Sequence, residues 1–128
     1  MIRFPYIRIA NDTYPLIPIR LFGPSRSILT SALVDSGARI SVFQAHLAQT
    51  IGIDIYSVTP TYLEGVGGRI LGYVHTLNAE VGKHSFSCEI AFSPELLVSF
   101  SLLGRRSFFE NFTVSFNESE QEVILNPV

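Results

Sequence analysis

Short apolar runs, broken repeatedly by glycine, proline, asparagine and aspartate, decide what this chain can fold into. Apolar residues alternate with polar ones or cluster in runs too short to cross a bilayer, which is the pattern of strands. Strands are predicted near 2–9, 15–22, 28–34, 58–65, 69–81, 84–92, 98–103, 112–116 and 121–125. Val81-Gly82-Lys83-His84 reads as a hairpin turn, beyond which Phe86, Cys88, Ile90 and Phe92 share one face. Gly23 to Ser27 is a turn cluster. Two segments read as helical. One is 42–51, where Phe43, Leu47 and Ile51 recur at helical spacing behind a Ser41 cap. The other is one or two turns over 105–110. Many short strands with little helix predict an all-β closed barrel or sandwich.

Composition narrows the function classes. At 128 residues the chain is expected to be a single domain, 1–128, with a substantial core. With 47% hydrophobic residues and a net charge of −2, it gives no electrostatic reason to expect nucleic acid or an anionic membrane. Cys88 is the sole cysteine, so no internal disulfide forms, which fits a reducing, cytoplasmic setting. Met1 to Ile9 alternates charge with apolarity and does not read as a signal peptide. His46, His75 and His84 lack ligand spacing, so no metal and no cofactor are expected. Glu118, Glu120 and Glu122 read as a solvated acidic turn.

Three elements carry the chemistry. Asp35-Ser36-Gly37-Ala38 follows the apolar run Ile28 to Val34. A carboxylate on a tight turn at the end of a buried strand is costly to desolvate and marks a functional candidate. The triplet occurs once, so if Asp35 is half of a two-carboxylate site, a second chain must supply the other half. The second element is the glycine-rich tip Gly65-Val66-Gly67-Gly68, between apolar strands. The third is Leu102-Leu103-Gly104, an apolar strand ending in glycine.

In this order and spacing the three elements resemble the retropepsins, single-lobe aspartic peptidases, over roughly residues 14 to 125. The resemblance implies a closed acid-protease barrel with one or two short helices. It implies an endopeptidase acting on polypeptides as a homodimer. Asp35, Ser36 and Gly37 would be catalytic, and Ala38, Arg39, Ile40, Gly65, Val66, Gly67 and Gly68 would bind substrate. Asp35 and its symmetry mate would share one proton and activate a water between them. Ser36 would bond across the two-fold axis, and the glycine-rich tip would close as a flap. Two departures stand out. Arg39 occupies a position where retroviral relatives carry an acid that pairs with an arginine after the late glycine, here Arg105; Glu110 or Glu64 is left to compensate. Met1–Ile9 and Glu122–Val128 are only loosely similar to the family's dimer-forming terminal strands. The rival reading is a catalytically weak module of the same fold that dimerises or binds peptides.

Overall fold

The computed structural model describes residues 1–65, 68–96 and 99–128. The N-terminal run expected as one strand is two, β1 (Ile2–Pro5) and β2 (Ile7–Ile9). At the break, Tyr6 still donates its backbone N–H to Gln121 O at 2.8 Å, and the ladder of β1 ends beyond it. β2 folds back on β3 (Asp12–Tyr14), a hairpin the sequence pattern does not announce; Ala10 makes the turn at φ 56°. β4 (Leu16–Phe22) and β5 (Ser27–Val34) form the next hairpin across the expected turn, closed by Gly23 N–H to Arg26 O at 3.0 Å.

The expected helix over 42–51 is half strand. β6 (Ser41–Gln44) precedes α1 (Ala45–Thr50). β-Branched Val42 and aromatic Phe43 suit a pleated surface, and β6 finds a parallel partner in β9 (His84–Ser93), with Ser41 opposite Ile90 and Phe43 opposite Phe92. Gln44, not Ser41, is the N-cap, and it makes no side-chain cap bond. After α1, a 3-10 turn (Ile55–Ser57) is capped by Asp54, which accepts the Tyr56 N–H at 3.0 Å. β7 (Thr61–Gly65) and β8 (Gly68–Val81) form a long hairpin, and β8 continues into β9 through the expected turn, with Gly82 at φ 61°.

β10 (Ser101–Leu103) is shorter than the expected 98–103, whose first residue, Val98, lies outside the described residues. Residues 105–110 form turns around an isolated bridge at Arg106 rather than a helix. Ser107 stands at φ 70°, which an α-helix cannot accommodate, and its N–H is taken by Glu110 Oε1 at 2.6 Å. β11 (Phe112–Asn117) and β12 (Glu122–Pro127) close the chain, and β12 pairs with β1 of the same chain. The acidic turn is more than a solvated loop. Glu118 accepts the Tyr6 hydroxyl at 2.8 Å and Glu122 pairs with Arg3, so the β11–β12 turn and the start of β12 both hold the N-terminal segment.

The main sheet has the order β4-β5-β10-β6-β9-β8-β7. It curls until β4 also meets β8, from Arg20 opposite Glu80 to Phe22 opposite Asn78. The all-β, single-lobe barrel expected from the sequence is the one observed, joined at its seam by this short pairing. Ile17, Ile19, Leu21, Phe43, Ile90, Phe92 and Leu103 are fully buried inside it. Cys88 is buried too, and burial pushes its thiol up to about 12, so it stays protonated and inert at neutral pH. Among the described residues, no helix is long and apolar enough to cross a membrane.

Candidate active site

The Asp35 turn sits where the chain crosses over its own sheet. β5 runs parallel to β10, with Leu33 opposite Leu102 and Val34 opposite Leu103. Asp35 N–H donates to Leu103 O at 3.0 Å, the last rung of that ladder. The chain then turns sharply and re-enters the sheet as β6 on the far side of β10. The turn is made by Asp35 itself. Its Oδ1 accepts the Gly37 N–H at 2.9 Å and its carbonyl accepts the Ala38 N–H at 3.1 Å. A Cβ on Gly37 would stand 3.2 Å from Oδ1, so glycine leaves the carboxylate its room. Asp35 and Ala38 are half-buried, whereas Ser36 and Gly37 are exposed.

Leu102-Leu103-Gly104 lies between the two limbs of this crossing, with β10 pairing β5 on one side and β6 on the other. The N–H groups of Arg105 and Arg106 donate to Ala38 O and Arg39 O, each at 2.9 Å. Ile40 bridges Arg106 in parallel fashion. The buried hydroxyl of Ser41 accepts the Gly104 N–H at 3.0 Å. Ser41, expected as a helix cap, is therefore a clasp behind the Asp35 turn. Strand alternation puts half-buried Leu33 on the same face as Asp35, with half-buried Leu102 opposite it. The pair makes an apolar floor beside the carboxylate.

The glycine-rich hairpin is anchored to the same region. Leu63 faces Ile70, Glu64 faces Arg69, and Gly65 faces Gly68; Val66 and Gly67 lie outside the described residues. Leu63 and Ile70 pack with Ile40, Val42 and Ala91 in an apolar cluster separate from the main core. Ile40 is thus buried in this cluster, at 7% exposure, and joins the turn to the hairpin. At the hairpin's base β9 has ended, and side chains replace it. Glu95 Oε1 accepts the Leu71 N–H at 2.6 Å, and the buried Ser93 hydroxyl donates to Leu71 O at 2.7 Å. Ser93 Oγ in turn accepts the Glu95 N–H at 3.1 Å. Sequence reading missed Ser93 and Glu95, because neither motif nor periodicity marks a side chain that completes a strand ladder.

The compensation considered for Arg39 and Arg105 is absent among the described residues. Glu110 is engaged by Ser107 and Glu64 sits across from Arg69. The ion pair that does form is Arg106 with Glu89, at 3.0 Å. Two open clefts, about 410 Å3 beside His75 and about 570 Å3 beside Phe100, do not include Asp35.

A single-lobe curled barrel with an Asp-Ser-Gly turn at the strand crossing is a retropepsin-like architecture. Residues 17–106 match the family described as aspartyl protease, and the chain belongs to that family. The fold is similar to that of a retropepsin-like aspartic protease from Rickettsia conorii, with a TM-score of 0.70 and 23% identity over 98% of this chain and 99% of that one. No curated protein sequence matches the chain. Family membership supports a protease-type function.

Proposed function

We propose that the chain is one domain, 1–128, and an aspartic endopeptidase that works as a homodimer. The observation that carries this reading is the Asp35 carboxylate at the strand crossing. Its Oδ1 is committed to the Gly37 N–H at 2.9 Å, which leaves Oδ2 for chemistry. Across a two-fold axis, Asp35 and its mate share one proton, because two carboxylates that close do not both ionise. The ionised member takes a proton from a water between them, and that water attacks the scissile carbonyl. The protonated member donates to the carbonyl oxygen, and the tetrahedral intermediate collapses as a proton passes to the leaving amine. Two carboxylates and a water suffice for these steps. Ser36 fixes the turn from across the axis, and exposed Gly37 lets the peptide backbone approach. Ala38 and Arg39 border the peptide, Leu33 and Leu102 receive an apolar side chain next to the scissile bond, and buried Ile40 ties the turn to the β7–β8 hairpin that lies over it.

The dimer is the part to test first. Specific activity on an unstructured peptide substrate is expected to fall on dilution, in step with dissociation seen by sedimentation. Full specific activity from a strictly monomeric protein would refute the proposal.

The hairpin's anchorage makes a second, smaller prediction. Glu95→Ala removes the acceptor for the Leu71 N–H. Loss of about 1 kcal/mol of hydrogen bonding is expected to raise KM about fivefold, since substrate must then position the hairpin. Glu95→Gln keeps a carbonyl acceptor and restores most of the loss. An unchanged KM in Glu95→Ala would mean that the hairpin is held by its apolar cluster alone.

A further inference from the structure

We infer that Arg39 and Arg105 form a carboxylate-binding site beside the Asp35 turn, so that the preferred peptides carry acidic side chains flanking an apolar cleavage point. The inference rests on the peptidase reading for the peptide's position and on its own observations for the charge. Residues 38–39 and 105–106 are laced together by two backbone hydrogen bonds of 2.9 Å, which hold Arg39 and Arg105 on abutting segments of chain. Both side chains are exposed, and among the described residues neither makes an ion pair. Their neighbour Arg106 is different, because Glu89 neutralises it at 3.0 Å. A protein with net charge −2 therefore presents an uncompensated cationic spot next to its candidate catalytic turn.

The backbone sets Arg39 and Arg105 on neighbouring segments, so an incoming carboxylate is attracted by both positive charges. The planar fork of arginine matches a carboxylate in bidentate fashion. The apolar floor of Leu33 and Leu102 lies alongside and suits an uncharged side chain. In a two-fold dimer the arginine pair occurs on both sides of the Asp35 dyad, so acids on both sides of the cleavage point bind better than an acid on one. The attraction acts between exposed groups, so it is modest and fades as salt is added.

The test uses the Asp35→Asn form of this chain and two labelled peptides, each with a central Leu-Phe pair, flanked on both sides by Glu in one and by Gln in the other. Fluorescence anisotropy is expected to show the Glu peptide binding about two- to fivefold tighter per carboxylate, with the preference shrinking as salt is added. Adding Arg39→Gln and Arg105→Gln should abolish the preference, whereas Arg106→Gln with Glu89→Gln should keep it. Equal affinities, no binding of either peptide, or a preference that survives loss of Arg39 and Arg105 would overturn the inference. Cleavage by the parent protein is scored separately. Binding preference without cleavage keeps the carboxylate site and removes the peptidase reading; cleavage without preference does the reverse.

Discussion

Asp35→Asn is expected to lower peptide hydrolysis by on the order of 10⁴-fold while leaving the fold in place. The substitution is isosteric. The side-chain carbonyl of asparagine can still accept the Gly37 N–H that Oδ1 accepts at 2.9 Å, and Asp35 N–H still reaches Leu103 O at 3.0 Å. The turn therefore survives. What is lost is a group able to take a proton from water and return it. In a homodimer the loss is double, because both protomers carry the change and neither acid nor base remains. Melting temperature and circular dichroism should match the parent, and sedimentation should show the same dimer. A tandem chain with one aspartate and one asparagine should be nearly as inactive as the double replacement, since each carboxylate has a separate task. Cleavage by Asp35→Asn at the parent rate would end the enzyme reading.

Much of this architecture was legible in the sequence because each legible feature is local. The Asp35 turn, the Val81–His84 hairpin and the alternating face of Phe86, Cys88, Ile90 and Phe92 all need only neighbouring residues to be seen. The misreadings share a cause. Phe43, Leu47 and Ile51 recur at helical spacing, but Phe43 is captured by β9 before the helix begins. Residues 105–110 carry no helix breaker, yet Ser107 adopts φ 70° because the backbone there must return from its contact with residues 38–39. Ser41 resembles a cap, and Gly104, sixty-three residues away, claims its hydroxyl. Glu118 and Glu122 look like surface charge and instead hold the N-terminal segment. In each case a partner distant in sequence decides the role. The same limit hid Ser93 and Glu95, whose partner Leu71 lies on the neighbouring strand.

Gly104→Ala is the other substitution expected to have a large effect, and it acts through backbone contact alone. A Cβ at this position would lie 2.5 Å from the carbonyl carbon of Ile40, 2.6 Å from its oxygen and 2.9 Å from Ala38 O. All three are main-chain atoms, so no rotamer change can relieve the clash. The segment from Ala38 to Ile40 must move away, and three hydrogen bonds move with it: Gly104 N–H to Ser41 Oγ, and the Arg105 and Arg106 N–H groups to Ala38 O and Arg39 O. Overpacking of this kind costs about 1–3 kcal/mol before any hydrogen bond is lost. A fall in melting temperature of roughly 10 °C is expected, measured at fixed protein concentration because the proposed dimer would contribute to apparent stability. Activity should fall further than stability, since the displaced segment is the outgoing limb of the Asp35 turn. Measured well below its own melting point, the variant should still be at least 10-fold slower, because a misplacement of about 1 Å costs on that order or more in a positioned site. Ser41→Ala separates the two effects. It leaves the buried Gly104 N–H without its acceptor, at a cost of about 1–3 kcal/mol, but introduces no clash. It should therefore destabilise comparably while keeping more activity than Gly104→Ala. If Gly104→Ala melts with the parent and cleaves at the parent rate, the crossing tolerates a side chain, and the turn is not held by contact between these two backbones.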